Sequence, residues 1–315
     1  MKKKVVLLVL LAIVLIACFI PITEEKTIAV NASFFNVYHV LATPARWKEW
    51  RSDLRKIPNA DTAKISIYKD TGSFEIKFTN LLLKVKSSDG LFSVDDYSNN
   101  KNVTYSYYAV PAKDPKTTIV TVDKKIPAVS YLFQHFDESS FTDTHVNDLK
   151  TFMETDSLKY GCTITKTRVP EANLVVINQT VRKKDKFAEA ENMFSELQAF
   201  VKKHGLKQTQ PVIAQYFDKP KTDSTQLKIG LFIDKETVSE KNIVFTRMPK
   251  GGPLYVAKFS GRFKDRMKVY TGLQQYFTDH LYQQAILPFE FYRDNKLPVS
   301  DTSKVNIQVN FSAFF

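Results

Sequence analysis

The feature that most constrains this chain is a pattern of elements that occurs twice. Asn173 to Val181 alternates as a strand, and Asp185 to His204 carries Phe187, Ala190, Phe194, Leu197 and Val201 at helical spacing before stopping at Gly205. Val212 to Asp218 and Gln226 to Asp234 then read as strands. The second copy runs from a strand at Leu254 to Gly261, through a helix over Phe263 to Gln283 with Met267, Tyr270, Leu273, Phe277 and Leu281 periodic. It closes with strands at Leu287 to Asp294 and Val305 to Phe311. Leu227 to Phe232 matches Val305 to Asn310 in alternation 78 positions later, and Tyr216-Phe217-Asp218 matches Tyr292-Arg293-Asp294 76 positions later. Each unit is β-α-β-β, and repeated units of this size bury their apolar faces against each other. Two such units are expected to pair about a pseudo-twofold, with a groove between their helices and sheet.

Within the second copy one strand carries a charge in apolar company. In Pro288-Phe289-Glu290-Phe291-Tyr292, alternation places Glu290 on one face with Pro288 and Tyr292, and Phe289 and Phe291 on the other. A carboxylate so flanked is costly unless it is solvated, paired or held for a ligand. A sheet face that simply meets water accommodates the same pattern. Tyr216 and Tyr292 fall at equivalent points of the two repeats, and Tyr255 lies in the strand after Gly251-Gly252. For these tyrosines, a half-buried sheet position with the hydroxyl in water competes with a place in the groove. Gly251 and Gly252 serve strand entry, because the strand-loop-helix context of a phosphate loop is missing.

The preceding stretch, about residues 24 to 158, is organised differently. Lys26 to Ala32 alternates as a strand, Ser33 can cap a short helix with Phe34, Phe35, Val37, Tyr38 and Val40, and Pro44 ends it. Trp47 and Trp50 follow and are expected to pack in the core. Strand-like runs at Ala63 to Tyr68, Gly72 to Thr79, Leu81 to Lys86, Leu91 to Asp96, Asn102 to Val110 and Thr117 to Ile126 are separated by turn clusters, as in an antiparallel meander. A helical stripe of Phe141, Val146, Leu149, Phe152, Met153 and Leu158 closes the region. His39, His135 and His145 are not spaced to hold a metal on one element.

At the N-terminus Met1-Lys2-Lys3-Lys4 precedes an uncharged run from Val5 to Ile22, long enough at 1.5 Å per residue to span roughly 27 Å of hydrocarbon. Residues 1–23 therefore read as an uncleaved single-span anchor through residues 5–22. The Lys triplet stays cytoplasmic and the globular part lies outside the cytoplasm. Leu15-Ile16-Ala17-Cys18 resembles a lipobox, so a lipoprotein attached at Cys18 is the alternative. The net charge of +12 comes from lysines spread along the chain without a helix-turn-helix or zinc-finger pattern, and no nucleic-acid partner is expected. With only Cys18 and Cys162, no thiolate metal cluster is available, and neither metal nor cofactor is expected.

The first region, carried by Ile28-Ala29-Val30-Asn31-Ala32, the Trp47-x-x-Trp50 pair and Val146-Asn147-Asp148-Leu149-Lys150, resembles the START-like or SRPBCC (polyketide cyclase-like) superfamily. That resemblance implies an α+β helix-grip sheet with a long helix across it and an apolar cavity, hence a lipid or hydrophobic ligand carrier as one reading. The second region, residues 159–315, resembles the GyrI-like family, also met as an effector-binding domain of bacterial transcription activators. Met248-Pro249-Lys250-Gly251-Gly252-Pro253 leading into a strand, Gly261-Arg262-Phe263, and Pro288 to Tyr292 carry it. It implies a groove for a small apolar or cationic organic molecule, with Glu290 as the acidic residue facing it and Tyr292, Tyr216 and Tyr255 stacking on the ligand. A hydrolase of strained electrophiles using Glu290 is the alternative. Pro288 stands two residues before Glu290 where those enzymes carry Trp, and no Trp follows Trp50, so binding without catalysis is the expectation.

Overall fold

The computed structural model describes residues 20–58, 62–68, 72–98, 101–128, 141–169, 172–248 and 251–314, which divide into two units at Lys159 and Tyr160. Residues 1–19, with most of the expected anchor and Cys18, lie outside the described residues, as does His135.

The first unit is α+β. Among the described residues its sheet has the order β1-β7-β6-β5-β4-β3-β2, antiparallel throughout. The strands are β1 (Pro21–Val30), β2 (Lys64–Tyr68), β3 (Ser73–Lys77), β4 (Leu81–Ser88), β5 (Leu91–Ser98), β6 (Lys101–Pro111) and β7 (Thr118–Pro127). Inward positions two apart, among them Phe74 and Ile76, Phe92 and Val94, and Val120 and Val122, form one core with the helices. Helix α1 (Phe34–Ala42) begins where the Ser33 hydroxyl accepts a hydrogen bond from the Asn36 N–H and ends at Thr43, held extended before Pro44. Helix α2 (Phe141–Glu154) buries Val146, Leu149, Phe152 and Met153, then breaks at Thr155 ahead of a single turn, Asp156–Lys159. Trp47 and Trp50 are fully buried, as expected. One boundary differs from the sequence reading. Pro21 and Ile22, taken above as the end of the anchor, start β1 and pair with Pro127 and Ile126. No helix among the described residues is long and apolar enough to cross a membrane.

The second unit is also α+β. Its strands are β8 (Ile164–Arg168), β9 (Ala172–Arg182), β10 (Val212–Asp218), β11 (Ser224–Ile233), β12 (Val244–Met248), β13 (Pro253–Arg262), β14 (Phe289–Tyr292) and β15 (Lys304–Ser312), with helices α3 (Lys186–Lys203) and α4 (Met267–Asp279). The sheet order β12-β9-β11-β10-β14-β15-β13-β8 reads the same from either end once the repeats are exchanged. The pseudo-twofold passes between β10 and β14, where Ala214 pairs with Glu290, its own counterpart 76 positions away. Two strands went unread in the sequence. β8 precedes the first repeat yet pairs with β13, and β12 precedes the second yet pairs with β9. Each repeat is therefore β-β-α-β-β with its first strand given to the other. The polar Ile164-Thr165-Lys166-Thr167-Arg168 suits such an edge position.

The second helix also ends earlier than its periodicity implied. In α3 the chain turns at Gly205 with φ +58°, and the Leu206 N–H reaches the Val201 carbonyl. Leu281 holds the corresponding place after α4 with φ +55°, and the Tyr282 N–H reaches the Phe277 carbonyl. A leucine there removes the glycine signal that marks the first stop.

Candidate ligand-binding groove

Strand β14 is only four residues long, so the sheet is incomplete beside the end of β10. A groove of about 710 Å³ opens there. Its apolar wall includes Tyr216, Met248, Met267, Tyr270, Ile286 and Phe311, with Asn178, Gln215, Gln226, Thr271 and Gln274 among its polar groups. The residues come from both faces of the sheet. Tyr216 shares the helix side with Ala214, whereas Gln215 follows the opposite phase with Ile213. The groove therefore wraps round the short strand instead of lying only between helices and sheet. The Gln215 amide holds the rim by donating to the carbonyls of Leu287 and Pro288 at 3.1 and 2.9 Å.

Glu290 lies directly behind this wall. It is fully buried and does not line the groove. One carboxylate oxygen accepts from Arg266 Nε at 2.7 Å and from the Tyr270 hydroxyl at 2.9 Å, and the other accepts from the Tyr292 hydroxyl at 2.5 Å. The charge expected to meet a ligand cation directly thus meets an internal guanidinium first. Arg266 is fixed in turn by Nη1 donating to the Phe263 carbonyl at 3.2 Å, and its guanidinium carbon sits 3.5 Å from the Phe263 ring centroid. Burial works against the Arg266 charge, but Glu290 outweighs it and holds the guanidinium above its usual range. Burial first, and the Glu290 charge second, push the Tyr270, Tyr292 and Tyr216 phenols upward, so all three stay neutral donors.

Of the four residues singled out in the sequence, the fold brings Glu290, Tyr292 and Tyr216 together and places Tyr255 elsewhere. Tyr216 lines the groove, and its buried hydroxyl has no hydrogen-bond partner among the described residues. Tyr292 is buried beneath the groove on Glu290. Tyr255 is absent from the groove wall. It packs against Tyr276, Phe277 and Tyr282 at 5.0 to 5.4 Å, because β15 separates its strand from β14. Arg266 and Tyr270, which line the groove and hold the carboxylate, were not singled out. They stand four apart, one helical turn, on the stripe that continues to Leu273. An arginine on that buried stripe was the available signal.

In the first unit, aromatic rings of the sheet and the short helices pack against one another and reach His145 of α2. Trp47 and Trp50 lie 5.3 Å apart, Trp50 meets Tyr107 at 5.6 Å, and Tyr105 meets His145 at 5.3 Å. Arg51 Nη1 donates to the Tyr105 hydroxyl at 2.5 Å, and Nη2 reaches Asp96 at 3.0 Å. Tyr107 and His145 Nδ1 share a hydrogen bond of 2.6 Å, while burial, aided by Arg51, pushes the imidazole down to about 3. Among the described residues no group of His, Cys, Asp and Glu could hold a metal ion.

No protein-family model matches the chain, and no curated protein matches it. Several solved structures do. The C-terminal domain of EcmrR is 18% identical, with a TM-score of 0.40 over 49% of this chain and 98% of that one. A hydrolase from Listeria innocua is 11% identical, with a TM-score of 0.33 over 48% of this chain and 92% of that one. A START superfamily protein from Mycobacterium smegmatis is 13% identical, with a TM-score of 0.29 over 42% of this chain and 97% of that one. These are likenesses of backbone course at low identity, and no residue role passes from them to this chain.

Proposed function

We propose that residues 160–315 are a binding module that takes up a small organic molecule with an apolar body in the groove beside β14. The observation that carries this reading is the Glu290, Arg266, Tyr270 and Tyr292 cluster directly behind an aromatic-lined groove. Buried, fully bonded polar groups make a rigid floor, and rings that need no rearrangement give contact area at low entropic cost. Glu290 is a positioning residue in this reading. It fixes Arg266 and Tyr270, whose outer surfaces form the wall. Binding without turnover fits better than hydrolysis, because a general base needs an oxygen free to take a proton from water. Both Glu290 oxygens already accept hydrogen bonds, one of them from a guanidinium. The sequence adds a tether. The apolar run behind the Lys triplet, from residue 5 up to the start of β1, would hold the module at the outer face of a membrane.

The test is a fluorescence titration of the full chain with neutral N-phenylnaphthylamine, repeated for Thr271→Trp, which places bulk in the groove. Saturable binding that the substitution weakens about tenfold or more is expected, since a blocked pocket forfeits most of its contact area. Equal binding by both proteins would refute the groove as the site. For the tether, truncation after residue 19 leaves β1 whole and should move the protein out of the membrane fraction.

A further inference from the structure

We infer that the groove selects an organic anion on an apolar body, with Lys228 as its counter-charge; this deepens the binding reading above and rests on it. Among the described residues, every charged side chain lining the groove is a cation: Lys228, Arg247 and Arg266. Their situations differ. Arg266 is neutralised from behind by Glu290, and Arg247 is paired on the exposed rim with Glu236. Lys228 is half-buried in the middle of β11 and has no ion pair among the described residues. With the two pairs cancelling, the groove carries one uncompensated positive charge.

The register shows what surrounds that charge. Lys228 stands opposite Gln215 of β10 on one side and Asn178 of β9 on the other, and all three line the groove. Directly paired residues share a face of the sheet, so the ammonium has two amides as cross-strand neighbours. Amides solvate a cation without neutralising it. Glu290 and Glu191 influence Tyr216 through their charge, but neither lines the groove.

A second, independent feature points the same way. Tyr216 lines the groove with its ring centroid 5.9 Å from the Arg266 guanidinium carbon, and its hydroxyl is wholly buried with no partner among the described residues. A small shift of the ring would bring that neutral hydroxyl to a ligand, and an anionic oxygen is the strongest acceptor it could meet. Arg266 adds to this, since its Nε and Nη1 are engaged inside the protein while Nη2 has no partner among the described residues. Lys228 lies on the Gln215 side of the groove and Arg266 on the Tyr216 side, so a cationic ligand would meet a like charge on either side and find no carboxylate on the wall. An anion would exchange water for a charge-assisted contact in a partly desolvated place, where such contacts are strongest.

The experiment uses the full chain and three aromatic fluorophores: neutral N-phenylnaphthylamine, its anionic relative anilinonaphthalene sulfonate, and a cationic rhodamine. The expected order is anion, then neutral, then cation, with the anion favoured over its neutral relative by roughly fivefold or more, the value of a half-buried charge pair. Added salt should reduce that ratio. Lys228→Gln should bring it close to unity. A ratio that Lys228→Gln leaves unchanged, or a cationic dye bound more tightly than the neutral one, would overturn the inference while leaving the groove as the site. Failure of Thr271→Trp to weaken any of the dyes would instead overturn the binding reading, and the inference with it.

Discussion

The Glu290 carboxylate and the Arg266 guanidinium should be worth far more to the fold as a pair than either is alone. Glu290→Gln keeps the shape of the side chain and removes its charge. The carboxylate side chain is wholly buried and that of Arg266 is 10% exposed, so the substitution strands a guanidinium with little water to take over. Breaking a fully buried pair costs about 3 to 5 kcal/mol. Here Arg266 also borders the groove, and the introduced amide still offers one carbonyl oxygen, which favours the lower end, about 3 kcal/mol. For a unit of this size each kcal/mol lowers the melting temperature by about 2–4 °C, so scanning calorimetry should show the transition of the second unit fall by roughly 6–12 °C. Arg266→Met alone should be similarly harmful, because it leaves the carboxylate buried without a cation. The double variant removes both charges and should recover part of the loss, giving a coupling energy of at least about 2 kcal/mol in the cycle. Stability of Glu290→Gln within about 0.5 kcal/mol of the parent, or an additive cycle, would refute the account of a mutually dependent buried pair.

Three further outcomes are expected. Gly272→Ala should destabilise the second unit by at least about 1 kcal/mol in chemical denaturation despite alanine's better helix propensity, because the new Cβ would stand 2.1 Å from the Tyr160 carbonyl oxygen, a backbone atom that cannot swing away. Leu281→Gly should raise stability by about 0.5–1 kcal/mol, since the residue is 76% exposed and held at φ +55°, where a side chain is strained; a loss measured by the same assay would contradict this. The pH dependence of the first unit should carry the mark of His145. Its folded value near 3 lies below the ordinary 6.5, so between these limits the unfolded chain takes up a proton that the folded one refuses. Stability is therefore retained above pH 6.5 and lost as pH falls toward 3, by up to about 1.4 kcal/mol per pH unit, and His145→Gln should flatten that part of the profile.

Much of this molecule is determined by short-range pattern. Alternation along β3 to β7, β9 to β11 and β13 to β15, and helical spacing in α2 to α4, depend on neighbours two to four residues away, so the sequence alone was enough to place the meander, the duplication and the face that Glu290 shares with Tyr292. The exchange of β8 and β12 was invisible because both are short edge strands without a full alternating apolar face, and their partners lie far along the chain, at Pro253 to Ala257 and at Ala172 to Val176. The same limit applies to the site. Periodicity put Glu290 on one face with Tyr292, but whether it would meet water, a ligand or another side chain depended on the register between β14 and its neighbours and on the seat of the α4 helix above them. That long-range geometry brought Arg266 and Tyr270 onto the carboxylate, moved Tyr255 to another cluster and left Lys228 without a counter-ion among the described residues. A local pattern can say which face of a strand a charge takes; only the packing of distant segments determines whether it is buried and what neutralises it.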